Sequence, residues 1–185
     1  MKPIFTIHAG EFIVGEYIER NFSELNVWIP SKDTGIDLLV SDPTNSKCVS
    51  LQVKFSKDFS LKGNFSDAID ASGWWNLDAN KIDSSKADLW VFVLFSFARK
   101  NNPHFVVIEP QEILGRFKDL GRKEKRIHCY ICVTKDGKCW ETRGLNRLET
   151  GSIDTRDCDD SPRDLTKYLN WNLLHAKLQS ISSRQ

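Results

Sequence analysis

The chain has 185 residues, 40% of them hydrophobic and 28% charged, with a formal net charge of +1. That length sustains one domain with its own core, and a near-neutral charge excludes a globally basic nucleic-acid binder. No apolar run reaches the length of a bilayer span, so no membrane partner is expected. Met1-Lys2-Pro3-Ile4-Phe5 lacks the long apolar region and cleavage site of a signal peptide, and five cysteines suggest no disulfide framework. Both point to the cytoplasm.

Residues 9–25 read as a helix. At about 100° per residue, Val14, Tyr17, Ile18, Phe22 and Leu25 form one apolar stripe. Glu11 falls inside that stripe. It is either an inward functional carboxylate or a first-turn acid suited to the helix dipole. Glu16 falls on the opposite side as a solvated partner of Arg20. Short strands follow at about 26–30, 36–41 and 47–56, the last two joined by the turn formers Ser41-Asp42-Pro43-Thr44-Asn45-Ser46-Lys47. Residues 66–79 read as a short helix or an ordered loop, because Gly73 and Trp74-Trp75 interrupt any helical pattern. Asp88–Phe97 is apolar on both faces and is expected at the centre of a sheet. His104–Ile108 is another strand. Pro110 opens a helix that Gly121 stops. Ile127–Thr134 and Lys138–Thr142 pair as a hairpin. Ser161-Pro162 is expected to start a last helix toward Leu178.

Two of these strands carry polar residues that a buried strand does not hold without cause. Asp37 sits between Ile36 and Leu38. Gln52 and Lys54, two apart, project to one face. Burying such groups costs several kcal/mol, by order of magnitude, unless they find partners. A hairpin sets Asp37 beside Gln52 and Lys54, where the three can satisfy one another around a cation. The plainer alternative is a buried Asp–Lys pair with Gln52 as hydrogen-bond partner, holding two strands together.

Asp37, followed after fourteen residues by Gln52-Val53-Lys54, resembles the PD-(D/E)XK nuclease motif in its variant with Gln at the second acidic position. Gly10-Glu11-x-x-Val14-x-x-Tyr17-Ile18 is similar to the first-helix signature of that superfamily's resolvase-like and restriction-endonuclease-like members. Ile36 stands where the motif's Pro would be. The resemblance covers roughly residues 8–110. It implies a restriction-endonuclease-like α/β fold with an αβββαβ core, a central mixed sheet flanked by helices. To this the chain adds a C-terminal hairpin and helix: one domain over 1–185, with its core at about 8–120 and an extension at about 121–185.

The implied activity is metal-dependent endonucleolytic hydrolysis of DNA. Mg2+, or Mn2+, is held by Asp37, the Gln52 amide, the Val53 carbonyl and Glu11, while Lys54 assists the attacking water. A homodimer is the expected form for duplex cleavage. Lys57 and Lys62, just past the motif, and the run Arg122, Lys123, Lys125 and Arg126 are candidates to track a phosphate backbone. A solvated surface is the plainer reading of that run. Because Gln52 removes a negative charge, the alternative is an inactive nucleic-acid-binding or protein-interaction module on the same fold. Trp74 and Trp75 are either base-stacking or core residues. Cys129 and Cys132, at odd spacing in a strand, point to opposite faces and make a poor zinc site.

Overall fold

The computed structural model describes residues 8–32, 34–56, 68–95, 102–146, 149 and 161–181. The chain runs α1 (Ala9–Asn21), β1 (Asn26–Trp28), β2 (Leu38–Ser41), β3 (Cys48–Ser56), β4 (Ile69–Asp78), α2 (Ala79–Asp83), β5 (Leu89–Leu94), β6 (His104–Ile108), α3 (Pro110–Asp119), β7 (Arg126–Thr134) and β8 (Cys139–Glu141). A 3-10 turn at Thr166–Tyr168 and α4 (Asn172–Ser180) follow. The protein is mixed α/β, with a five-stranded sheet in the order β1-β2-β3-β5-β6 and a three-stranded sheet β4-β7-β8. In the larger sheet β1, β2 and β3 form an antiparallel meander, β5 adds parallel to β3, and β6 pairs antiparallel with β5.

The β2–β3 turn is built by Asp42. Its carboxylate accepts the Lys47 N–H at 2.9 Å and the hydroxyls of Thr44 at 2.6 Å and Ser46 at 3.1 Å. The Thr44 bond first, then the Lys47 N–H, favour the charged form and hold its carboxyl down at about 2. Asn45 takes the left-handed backbone conformation that such a turn needs (φ 57).

Every residue of β5 is buried, as expected for a central strand. Trp90, Phe92 and Leu94 join a core between the two sheets, shared with Trp75, Leu77 and Ile131 and with Ile113 and Phe117 of α3. Leu89, Val91 and Val93 face the other core, shared with Val14 and Ile18 of α1 and with Trp171, Leu174 and Leu178. The close approach of α1 to β3 depends on Gly10, where a Cβ would stand 2.5 Å from Cβ of Phe55.

Two expectations need correction. Residues 69–78 form a strand, β4, and not a helix or loop. Ala71, Gly73, Trp75 and Leu77 alternate inward and are buried, a bulge after Ile69 turns that residue to the other face beside Cys132 and Trp140, and Gly73 is needed because the Trp75 indole lies 2.3 Å from where its Cβ would be. The last helix does not start at Ser161. Residues 163–165 are captured by β8, through an antiparallel bridge of Asp164 to Trp140 and a Leu165 N–H to Cys139 C=O bond of 2.8 Å. Helix α4 begins only at Asn172. Among the described residues, no helix is long and apolar enough to cross a membrane.

Candidate active site and nucleic-acid interface

Strand β3 divides its side chains between two faces. Val53 and Phe55 meet α1, so Gln52 and Lys54 project to the opposite face, toward the smaller sheet. There the Lys54 ammonium sits 4.6 Å from the centre of the Trp90 ring, a cation–π contact. The Trp75 indole N–H donates to the Lys54 carbonyl at 3.1 Å.

The register Leu38↔Leu51 carries Asp37 to the level of Gln52, just before β2 begins. The Asp37 N–H donates to the Leu51 carbonyl at 2.8 Å. Its carboxylate then takes the place of a backbone acceptor, receiving the Val53 N–H at 2.7 Å. A strand residue sends its N–H and C=O to the same edge, so the Val53 carbonyl also points past the open end of β2. Asp37 is therefore fixed beside Gln52 and Val53 where the hairpin ladder stops, and Gln52 and Lys54 turn from the same strand into a cleft.

Beside that point lies a cleft of about 490 Å³ between the two sheets, walled by Gly35, Gln52, Lys54 and Trp90 on one side and by Trp75, Asn76, Asp78 and Arg126 on the other. Lys81 of α2 and Lys86, just past it, also line the cleft. Four cations, Lys54, Lys81, Lys86 and Arg126, meet one acid, Asp78, in this wall. The Asp78 carboxylate is partly spent on capping α2, where it accepts the Asn80 N–H at 3.0 Å.

Glu11 is used differently. Its carboxylate accepts the His8 N–H at 3.0 Å and caps the start of α1, and α1 lies on the Val53 and Phe55 face of β3. Glu16 makes the expected ion pair with Arg20, at 2.8 Å.

The basic candidates separate. Lys57 and Lys62 lie outside the described residues. Lys123, Lys125 and Arg126 are exposed, and Arg126 reaches the cleft wall. Arg122 turns inward, where its guanidinium holds Glu141 at 2.6 Å and the His128 carbonyl at 3.1 Å. Cys129, Cys132 and Cys139 are buried, and burial drives their thiols up, Cys132 to about 12. This is the reverse of what a thiolate metal ligand needs.

Among the described residues, no group of three or more His, Cys, Asp or Glu is placed to hold a metal ion. The donors at the hairpin end are one carboxylate, one amide and one carbonyl. They fit a hydrated Mg2+ that takes its other ligands from water and substrate phosphate.

Sequence reasoning missed Lys81, Lys86 and Trp90 as companions of Lys54. The inward alternation of Ala71, Gly73, Trp75 and Leu77 would have drawn β4, and with it the cleft. Comparison with family models, with curated proteins and with solved structures finds no match for this chain.

Proposed function

We propose that the chain is a Mg2+-dependent nuclease of the PD-(D/E)XK type, hydrolysing phosphodiesters of DNA. The observation that carries this reading is the register that sets Asp37 at the level of Gln52, with its carboxylate on the Val53 N–H, while Gln52 and Lys54 line a cleft walled by further cations. The strand order supports it. The order α1, β1, β2, β3, α2, β5 follows the implied αβββαβ core, with β4 inserted before a short α2 and β5 parallel to β3.

Asp37, the Gln52 amide oxygen and the Val53 carbonyl hold the ion. When bound, Mg2+ supplies charge that acidifies water and offsets the negative charge developing on the phosphoryl oxygens. Lys54, set over Trp90, orients the attacking water and steadies the same developing charge. Lys81, Lys86 and Arg126 bind flanking phosphates, so affinity falls steeply with salt. Cutting both strands of a duplex takes two such sites, hence a homodimer.

The test is cleavage of supercoiled plasmid and of labelled linear, branched and single-stranded DNA with Mg2+ or Mn2+, using wild type, Asp37→Ala and Lys54→Ala. Activity lost in both variants and in EDTA supports the reading. Cutting that survives Asp37→Ala sinks it. One observation favours a second reading. With Gln52 in place of an acid and Glu11 tied into a helix cap, the site holds few negative charges, which suits a binding module that does not cut. Such a module would retain folded, metal-independent DNA affinity with no cleavage of any substrate.

A further inference from the structure

Trp74 and Trp75 are adjacent and point to opposite faces of β4. Trp75 is 6% exposed and packs edge-on against Phe92. Trp74 is 43% exposed. Its outward face is shared with β7, where the register sets Trp74 opposite Tyr130 and Asn76 opposite His128. The Trp74 indole lies nearly parallel to the His128 ring, at 5° with centroids 6.1 Å apart, and 6.3 Å from the Tyr130 ring. The Arg143 guanidinium stands 5.3 Å over Tyr130. Arg126, at the end of the same strand face, has a side chain 62% exposed, and its acidic neighbour Asp78 is 3.9 Å away. Lys123 and Lys125 precede it, exposed.

One exposed and two half-buried planar rings at the outer end of a sheet face, fringed by cations, complement a polymer that carries planar rings and negative charge. We propose that the outer face of β4 and β7 is a stacking platform for single-stranded nucleic acid. Trp74, His128 and Tyr130 take unpaired bases, and Arg126 and Arg143 take phosphates. A duplex keeps its base faces stacked inside and cannot use such a platform. The platform is continuous with the cleft, since Asn76, Asp78 and Arg126 line both. It is also pinned to the end of β3. The Trp74 N–H donates to the Ser56 hydroxyl, and that hydroxyl donates to the Trp74 carbonyl, each at 2.9 Å. A strand lying on Trp74 thus leads over β4 toward Lys54. The inference deepens the nucleic-acid reading above by naming the substrate class.

The experiment is fluorescence anisotropy in EDTA with a labelled pyrimidine-rich oligonucleotide, single-stranded and annealed to its complement. Wild type, Trp74→Ala, Trp74→Leu and Trp74→Phe are compared after circular dichroism has established their folding. Wild type is expected to prefer the single strand, with quenching of tryptophan emission. Ala and Leu each weaken single-strand binding about tenfold, Phe restores most of it, and duplex binding barely moves. The proposal is overturned if wild type does not bind the single strand. It is equally overturned if Leu, which keeps the bulk without a π-face, binds like wild type, or if single-strand and duplex binding fall together. Conversion of a dimer to a monomer by Trp74→Ala, with single-strand affinity intact, would assign the face to a second copy instead. Failure of the nuclease reading is distinguishable. Trp74-dependent binding without cleavage by wild type in Mg2+ sinks the enzyme and keeps the platform, and cleavage with no Trp74 dependence does the reverse.

Discussion

Two regions of this molecule gather charge away from bulk water, and they resolve it in opposite ways. Beside β8, Glu141 is 1% exposed and lies between two guanidinium groups, Arg122 at 2.6 Å and Arg163 at 2.9 Å. Arg163 reaches on to Glu149 at 2.7 Å, and the carbonyls of His128 and Arg143 accept further donors. The cluster balances itself. In the cleft, Lys81, Lys86 and Arg126 stand beside Lys54 in a wall that also holds Asp78. A closed ion-pair network reads as architecture, whereas cations lining a cleft are the feature on which the nucleic-acid reading proposed above rests. The basic run at 122–126 belongs to both regions, because Arg122 enters the network and Arg126 the cleft.

Substitutions can break or sharpen this contrast. On the nuclease reading proposed above, the largest expected effect is on chemistry. Asp37→Ala and Lys54→Ala should each cut the cleavage rate about 100-fold or more, the range of a lost acid–base or charge-stabilising group. Their melting temperatures should move far less than that of the next variant. Glu141→Gln leaves two guanidinium groups beside a neutral amide in a buried place. It should cost about 3–5 kcal/mol of stability, read from urea denaturation, while the surviving folded protein keeps its cleavage rate. If Glu141→Gln abolished cleavage without loss of stability, the division into architecture and site would be wrong. Gly10→Ala should cost about 1–3 kcal/mol by forcing α1 away from Phe55, again visible in the denaturation midpoint. The smallest effect is at the β2–β3 turn. Asp42 has its carboxyl lowered from 3.8 to about 2 on folding. Its contribution is therefore complete above pH ~4 and is lost as pH falls toward 2. Asp42→Asn should flatten that part of the stability-versus-pH profile, and an unchanged slope would assign the acid sensitivity elsewhere.

Much of the larger sheet is legible in local pattern. The double-sided apolar run at 89–94 could only be central, and the turn formers at 41–47 fixed a hairpin that carries Asp37 to Gln52. The pairing of the α1 stripe with its core followed from helical spacing alone. What escaped were features that depend on distant partners. Gly73 reads as a breaker, yet it is the residue that makes room for the Trp75 ring. Pro162 reads as a helix start, yet the next residues are held by β8, which no local window contains. Glu11 stood between two readings of comparable weight. The bond to the His8 N–H gives it a capping role, a distinction that periodicity cannot make because both uses occupy the first turn. Lys81 and Lys86 carry no motif, and only the approach of the second sheet places them beside Lys54.

The contact of α4 with α1 reaches into how the protein is made. Trp171 is 5% and Leu174 0% exposed. The Trp171 ring lies 5.6 Å from Tyr17 and 5.4 Å from Phe105. Helix α1 thus shares its core with a helix far later in the chain. While the ribosome is still working, the apolar stripe of α1 has no complete cover, and closing it means joining the ends of a very long loop. The nascent chain should depend on chaperones until residues 171–178 have emerged, and a stalled chain lacking them should be degraded, not stored as a folded fragment.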